Sequence, residues 1–169
     1  MINKVTSIIV KNKHTLEFDD FVFKCSIGKN GITTKKIEGD KKTPKGFFKI
    51  GKLYYRKDRE KKPFSRLICK SINSKMGWCN DIRNQKNYNK LIKIKDNIKY
   101  EKLFRKDYKY NFFIPIMYNT KKRILKKGSA IFIHLTKNYK PTAGCIALSR
   151  KDFLILIKLI NKKTKIKIF

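Results

Sequence analysis

The segment Ser129-Ala-Ile-Phe-Ile-His134-Leu, continued by Pro141-Thr-Ala-Gly-Cys145-Ile-Ala-Leu, carries the strongest structural signal in the chain. Its first part is rich in β-branched and aromatic residues, which predicts a strand. Because side chains alternate along a strand, His134 is expected on the same face as Ala130 and Phe132. Cys145 follows His134 by eleven positions and comes directly after a glycine-containing turn.

A cysteine and a histidine in this order can support nucleophilic catalysis. The thiol attacks a carbonyl carbon as thiolate, so it needs a neighbouring base or positive charge. A histidine can accept that proton and return it to the leaving group. Gly144 allows a close approach of the backbone, and N–H groups of the turn can stabilise an oxyanion. Thr142 either orients the imidazole or holds the turn.

Cys145 and His134 also have a simpler interpretation. Cysteine is among the most frequently buried residue types, and a histidine in an apolar strand is often a core residue. Spacing alone favours this interpretation, because catalytic pairs are defined in space. Two observations favour chemistry: the only other histidine, His14, lies in a polar turn, and residues 142–145 form a small, polar break between apolar segments.

Short strands dominate the predicted secondary structure on either side of this segment. A turn is expected at Gly28–Gly31. The fold class predicted from these patterns is mostly β with a few helices, in a single domain over residues 1–169. The predicted strands are Val5–Lys11, Thr15–Phe18, Phe21–Ile27, Phe47–Arg56, Tyr110–Asn119 and Ser129–Leu135.

The clearest helix signal lies near the C-terminus. Ser149, with Asp152 three residues later, resembles a capping box. The apolar run that follows to Ile160 predicts a largely buried helix. Thr164–Phe169 alternates isoleucine with lysine and is expected to form an edge strand. A shorter helix is expected near Ile98–Lys106.

The basic charge has two explanations. The 169 residues include 44 Lys and Arg against 12 Asp and Glu, a formal net charge of +32. Such an excess suggests an anionic partner. However, only 7 of the 44 are arginine. Because arginine is the better phosphate ligand, compositional drift toward lysine is the favoured source of the charge.

Two stretches keep a nucleic-acid-binding module open as an alternative. Tyr54–Lys62 and Tyr100–Tyr110 interleave cations with aromatic residues, as single-strand binders do. Neither contains a recognised nucleic-acid motif, so we expect no specific nucleic-acid partner. Weak, sequence-indifferent binding would follow from the net charge alone.

Other features limit the classes of function. No apolar run is long enough to span a bilayer, so no transmembrane segment is predicted. Residues 1–20 do not resemble a signal peptide. The four cysteines are widely spaced, which predicts no metal site and, without an export signal, free thiols. Cys25 and Cys79 are expected to be structural. We predict no cofactor.

At Cys145 and His134 the chain resembles the L,D-transpeptidase catalytic domains of the YkuD type. The family's pattern is a histidine followed, a dozen or more residues later, by Ser/Thr-His-Gly-Cys, and His134…Thr142-Ala-Gly144-Cys145 is similar to it. Thr43-Pro44-Lys-Gly46-Phe-Phe resembles the family's Thr-Pro-x-Gly-x-Phe block. Other segments resemble a compact, single-domain branch of the family: Tyr55–Asp58, Gly77–Asp81, Tyr88-Asn89, Tyr118-Asn119 and Gly128–Ile131.

The resemblance implies a β-rich fold and acyl transfer on peptidoglycan stem peptides. Cys145 would form a thioester with the donor's L-centre, and His134 would act as general base and acid. An amine of a second stem would then complete a cross-link, whereas water would make the enzyme an L,D-carboxypeptidase. Gly144 and neighbouring amides would supply the oxyanion donors.

The chain departs from the family pattern at two positions. Ala143 replaces the second histidine, and Ala147 stands where many members have an arginine. The missing arginine leaves open how donor carboxylates are held, and the missing histidine keeps a catalytically inactive wall-binding domain as an alternative. The candidate substrate-binding residues, each also explicable as surface charge, core or turn, are Arg150, Arg56, Trp78, Tyr88, Tyr118 and Asn119.

The expected partner is therefore the peptidoglycan stem peptide, bound by a monomer. Glu38 and Asp40 are scarce acids, expected to stabilise turns or to contact a substrate amine. The family's substrate lies in the cell envelope, yet no signal peptide is visible, so both an envelope and a cytoplasmic location stay open.

Overall fold

The computed structural model describes residues 7–11 and 14–169, which contain fifteen strands and one helix. This confirms the prediction of a mostly β fold. The strands are β1 (Ser7–Lys11), β2 (Thr15–Phe18), β3 (Phe21–Lys24), β4 (Ile32–Thr33), β5 (Thr43–Pro44), β6 (Gly46–Lys49), β7 (Leu53–Tyr55), β8 (Cys69–Ser71), β9 (Met76–Cys79), β10 (Leu91–Lys93), β11 (Tyr100–Lys102), β12 (Phe112–Pro115), β13 (Phe132–Leu135), β14 (Ile146–Leu148) and β15 (Lys165–Ile168), and the helix is α1 (Arg150–Leu159).

Two five-stranded sheets form most of the structure. The first has the order β3-β2-β1-β15-β6, and the second has the order β14-β13-β12-β7-β8. A smaller sheet has the order β10-β9-β11, and β4 pairs with β5. The pairs β1–β15, β13–β14 and β7–β8 are parallel, which requires long connections between their members.

The main hydrophobic core contains side chains from both large sheets and from α1. Ile8 and Ile166 of the first sheet, Ile133 and Ile146 of the second, and Phe153 of the helix all have 0% exposure. Burial of aliphatic and aromatic surface of this kind is the dominant stabilising contribution to folding.

The second sheet also has a covered opposite face. There, Phe132 and Phe113 pack with Trp78 of the small sheet, with Tyr110 and with Cys145 in a separate cluster. Because β13 alternates, Ile133 and Leu135 point into the main core while Phe132 and His134 point into this second layer. The catalytic candidates therefore lie between the second sheet and the layer over it.

The helix prediction is confirmed at its start. Ser149 is the N-cap, and its hydroxyl accepts a hydrogen bond from the Asp152 N–H at 3.1 Å. The buried residues of α1 are Phe153, Leu156 and Ile157. This local signal is readable from sequence because it depends on residues three positions apart.

Several strands are present but shorter than predicted. Thr15–Phe18 is confirmed with its predicted bounds. Val5 and Thr6 lie outside the described residues, and the rest of that prediction forms β1. The remaining predictions, Phe21–Ile27, Tyr110–Asn119 and Ser129–Leu135, shorten to β3, β12 and β13.

Two predictions along the chain were wrong. Phe47–Arg56 is not one strand, because residues 50–52 separate β6 from β7 and the two halves join different sheets. No helix forms at Ile98–Lys106, where β11 pairs with β9 instead. Gly77 permits this pairing, since a Cβ there would lie 2.6 Å from the Tyr100 ring.

The predicted edge strand near the C-terminus is an inner strand. β15 lies between β1 and β6, with Ile166 and Ile168 buried and its lysines on the outer face. The alternation marked an exposed face of the sheet rather than an exposed edge. The one helix of residues 7–11 and 14–169 is too short to cross a membrane.

Candidate functional site

The parallel pair β13–β14 brings His134 and Cys145 to one face of the second sheet. His134 is in register with Ala147, and Cys145 precedes Ala147 by two positions. Because the side-chain period of a strand is two, Cys145 and Ala147 are directed to the same face as His134. Both candidates are nearly buried, with exposed fractions of 8% for Cys145 and 7% for His134.

Thr142 closes the turn that presents Cys145. Its hydroxyl donates to Cys145 O at 2.6 Å and accepts from the Gly144 N–H at 3.1 Å. Thr142 therefore holds the turn, which is one of its two predicted roles. The Gly144 N–H is engaged by Thr142 inside the turn. The clearest contribution of Gly144 to the site is therefore its backbone conformation.

Gly144 is required by its conformation and by its surroundings. Its φ of +134° belongs to a region that residues with a side chain rarely adopt. A Cβ at this position would also lie 2.8 Å from Lys42 O. The absence of a side chain therefore lets residue 42 lie directly over the cysteine turn.

Thr43 connects this turn to a second segment of the chain. Its hydroxyl accepts from the Gly28 N–H at 2.8 Å and donates to Gly144 O at 2.9 Å. Thr43 has no exposed surface. The threonine of the Thr-Pro-x-Gly block thus has a structural role, because it joins Gly28 to the turn before Cys145. The sequence alone does not predict this role.

The Cys145 thiol rests against backbone atoms of the neighbouring strand. Sγ donates to Ala130 O at 3.4 Å and accepts from the Phe132 N–H at 3.4 Å. Burial raises the pKa of Cys145 to about 12. The resting group is therefore a neutral thiol, and among the described residues no hydrogen bond joins it to His134.

His134 has the tautomer that a general base requires. Its Nδ1 lies 2.9 Å from Leu135 O, and because a carbonyl oxygen only accepts, Nδ1 carries the hydrogen. Nε2 is then the basic nitrogen of the neutral ring. Burial lowers the pKa of His134 to about 4, and the charges of Lys109 and Arg105 act in the same direction.

A cavity of about 410 Å³ opens onto both candidates. Cys145, His134 and Thr142 line it together with Ala143 and Ala147. The structure thus brings together the cysteine, the histidine and the turn that were predicted separately. The departure at Ala147 places a methyl group, and no charge, beside His134.

A further part of the cavity lining consists of residues that the sequence does not predict for the site. It includes residues of the stretch Tyr100–Tyr110, which the sequence suggested for nucleic-acid binding. Lys140 contributes from the segment before Thr142. The charged residues among them are Glu101, Arg105, Lys109 and Lys140, and the tyrosines are Tyr108 and Tyr110.

Arg105, Glu101 and Tyr110 form a connected group in this part of the lining. Arg105 donates to Asp107 through Nε at 2.9 Å and Nη2 at 2.6 Å, and its guanidinium lies 5.2 Å from the centre of the Tyr110 ring. The Tyr110 hydroxyl donates to Glu101 at 2.8 Å. The Tyr110 ring meets the His134 ring edge-to-face at 5.4 Å, which restricts the imidazole.

The two arginines predicted to bind substrate do not line this cavity. Arg56 is 3% exposed, donates two hydrogen bonds to Asp58 and one to Arg105 O, and stacks on Phe104 at 3.5 Å. Arg150 is exposed and pairs with Glu60 at 2.7 Å. Arg56 therefore holds the backbone of the loop that contains Arg105, without lining the cavity itself.

Trp78 and Tyr88 also lie outside the cavity lining. Trp78 Nε1 donates to Asn89 Oδ1 at 2.9 Å, and its ring packs against Phe132. Tyr88 is fully buried, and its hydroxyl donates to Glu38 at 2.6 Å. Both side chains support the layer that covers the second sheet.

Tyr118 and Asn119 organise the loop that precedes β13. The Tyr118 hydroxyl donates to Lys127 O at 2.6 Å. The Asn119 side chain donates to Ile124 O and Gly128 O and accepts from the Ile124 N–H. Neither residue lines the cavity of Cys145.

The acids Glu38 and Asp40 stabilise local structure. Glu38 accepts from the hydroxyls of Tyr88 and Ser129 at 2.6 and 2.7 Å. Asp40 pairs with the buried Lys36 and accepts from the N–H groups of Ile37 and Lys42, each at 2.9 Å. Of the two roles predicted for these acids, the geometry favours turn stabilisation.

All four cysteines are free thiols in this structure. Burial raises the pKa of Cys25 to about 12, and Cys25 and Cys79 lie in the interior. Only Cys145 lines the cavity. The site therefore combines one thiol, one neutral imidazole and positively charged side chains along the same cavity, a combination suited to acyl transfer through a thioester.

Several known structures are similar to this chain. The helical cell shape determining protein Pgp2 from Campylobacter jejuni is 19% identical, with 97% of this chain and 47% of that chain covered at a TM-score of 0.51. Bdellovibrio bacteriovorus Bd1075 is 16% identical over 98% and 48% of the two chains, with a TM-score of 0.49. An L,D-transpeptidase from Mycobacterium smegmatis is 12% identical over 98% and 58%, with a TM-score of 0.42.

The chain thus spans about half the length of the first two of these proteins. A comparison with curated protein sequences finds no match. The family model of the L,D-transpeptidase catalytic domain, YkuD, matches residues 2–168. The chain therefore belongs to the YkuD family of L,D-transpeptidase catalytic domains.

Proposed function

We propose that the protein is a cysteine acyltransferase acting on peptidoglycan stem peptides. The observation that carries the proposal is that Cys145 and His134 line the same cavity, with His134 Nε2 left as the basic nitrogen. Family membership supplies the substrate class, since the family acts on peptidoglycan peptides.

The first half-reaction transfers the acyl group of the donor to the cysteine. The thiol proton passes to His134 Nε2 as Sγ attacks the carbonyl carbon of the L-centre. Proton transfer accompanies attack because both groups are neutral at rest. The N–H groups of Ala143 and Cys145 stabilise the oxyanion, since those of Thr142 and Gly144 already donate within the protein. The tetrahedral intermediate expels the amine of the D-residue, which takes the proton from the imidazolium and leaves a thioester.

The second half-reaction releases the acyl group. His134 accepts a proton from an acceptor amine or from water as that nucleophile attacks the thioester carbonyl. Cys145 leaves and regains a proton from the imidazolium. An amine gives a cross-link, and water gives a shortened stem by L,D-carboxypeptidase action. Either outcome alters wall organisation, which links the site to cell shape and fits the family's action on the peptides of the cell wall.

The decisive experiment uses defined muropeptides. The purified protein is incubated with disaccharide tetrapeptides, and the products are identified by mass spectrometry beside a matched Cys145→Ala sample. We expect cross-linked or shortened products with the wild type and none with the variant. Unchanged substrate with the wild type would refute the acyltransferase and favour an inactive wall-binding domain. Equal turnover by the variant would refute the role of Cys145.

A further inference from the structure

The positively charged side chains around the cavity differ in whether an acidic residue already pairs with them. Arg105 donates two hydrogen bonds to Asp107 and lies 3.8 Å from Glu101. Lys109 and Lys140 are exposed at the rim. Neither takes part in an ion pair among the described residues. The two lysines therefore carry the available positive charge of the cavity.

The backbone holds both lysines close to the catalytic pair. Lys109 O accepts from the N–H of Leu135, the residue after His134, at 3.0 Å. Lys140 precedes the turn residue Thr142 by two positions, and the Thr142 N–H donates to Ile27 O at 2.9 Å. The lysines thus reach the cavity from two different segments, and Cys145 and His134 line the same cavity.

A carboxylate suits this arrangement. Lysine is a compact charge on a flexible stem with three donors, so two lysines can hold an anion without a fixed direction of approach. Arg56 and Arg150 are paired with acids elsewhere, and Ala147 supplies no charge beside His134. Within the part of the chain that the structure describes, Glu101 is the single acid that lines the cavity.

We infer that Lys109 and Lys140 bind a carboxylate of the peptide substrate at the rim of the cavity. This inference rests on the proposed function for the identity of the peptide. It assigns specificity to two residues that do not touch the reacting atoms. The lysines select a donor with a free carboxylate close to the scissile bond and hold it over Cys145.

The first test does not depend on peptide turnover. Iodoacetate and iodoacetamide alkylate the same thiol, are similar in size and differ in charge. The rate of Cys145 alkylation by each reagent is measured by peptide mapping, and their ratio is compared between variants. The test variant is Lys109→Gln with Lys140→Gln, and the control is Lys102→Gln with Lys151→Gln, two exposed lysines outside the cavity.

The control removes the same total charge as the test variant. We expect the iodoacetate-to-iodoacetamide ratio to fall about fivefold in the test variant, since each exposed charge changes an ionic contact about twofold to threefold. The ratio should stay close to the wild-type value in the control. Equal ratios in the two double variants would overturn the inference, because the effect would then follow net charge alone.

The second test identifies which carboxylate is bound. Wild type and test variant are compared on a tetrapeptide stem, on its C-terminal amide and on a stem amidated at the side-chain carboxyl. An increase in KM of about fivefold in the variant, abolished by one of the two amidations, identifies the source of the carboxylate. An unchanged KM on the free stem would overturn peptide binding by the lysines.

The two proposals fail in different ways. If no stem is turned over by the wild type, the acyltransferase proposal fails, and the alkylation ratio still decides whether the lysines form an anion site. If stems are turned over but the ratio matches the control, the acyltransferase stands and the assignment of Lys109 and Lys140 fails.

Discussion

Burial of His134 as a neutral imidazole has a measurable thermodynamic consequence. In an unfolded chain histidine has a pKa of about 6.5, whereas burial lowers the pKa of His134 to about 4 in the folded protein. Between these values the unfolded state binds a proton that the folded state does not. The free energy of unfolding therefore decreases as the pH falls from about 6.5 to about 4.

The size of the effect follows from the two pKa values. The contribution of His134 amounts to a loss of about 2 kcal/mol at about pH 5 and about 3 kcal/mol at about pH 4, relative to neutral pH. The comparison is a His134→Gln variant, which keeps a polar side chain but does not titrate. Subtracting the variant from the wild type cancels the contributions of carboxylates common to both.

Urea unfolding at neutral pH and at about pH 5 provides the four free energies needed. We expect the wild type to lose about 2 kcal/mol more than His134→Gln over this interval. Equal losses would show that His134 titrates normally and is exposed to water. That result would refute the buried, neutral base on which the proposed mechanism depends.

Three further substitutions test the structure around Cys145. Gly144→Ala introduces a Cβ 2.8 Å from Lys42 O at a φ of +134°, so thermal unfolding should show a loss of about 2–3 kcal/mol; a neutral substitution would contradict this turn geometry. Thr43→Val removes the bonds to Gly28 and Gly144, and chemical unfolding should show a loss of about 1–3 kcal/mol that Thr43→Ser largely avoids. Arg56→Gln leaves Asp58 and the Arg105 loop without their partner and should destabilise the fold without changing KM for a stem peptide; a raised KM with unchanged stability would restore Arg56 as a substrate ligand.

The parts of the site that sequence could predict depend on short-range patterns. The alternation in β13 placed His134 on one face, and the glycine turn placed Cys145 after it. Ser149 was identifiable as a helix cap because its partner is three residues away. These features need only strand and helix periodicity, which are visible in a single sequence.

The cavity wall could not be predicted in the same way. Glu101, Arg105 and Lys109 meet His134 and Cys145 only because β11 pairs with β9 and the following loop folds over the second sheet. The cation-rich, aromatic stretch that contains them suggested nucleic acid instead. Its arginine is held by Asp107 and its tyrosine by Glu101, contacts that composition does not show.

The arginines carry a sequence signal that indicates their partners. Arg56 and Asp58, Asp81 and Arg83, and Arg105 and Asp107 are each two positions apart, and each pair forms an ion pair in the structure. An arginine with an aspartate at this spacing already has a local partner in a loop. For Arg56, the pattern indicates a guanidinium that is paired with Asp58 and is not free to bind a substrate carboxylate.

The thioester on Cys145 is the central claim, and intact-mass spectrometry tests it most directly. The protein is mixed with a tetrapeptide stem, and the reaction is quenched in acid. The mass of the intact protein is then measured, and a digest locates any adduct. We expect a mass increase equal to the donor minus the free D-amino acid that leaves, located on Cys145 and absent from Cys145→Ala. An adduct on another residue, or product formation with no dependence on Cys145, would contradict it.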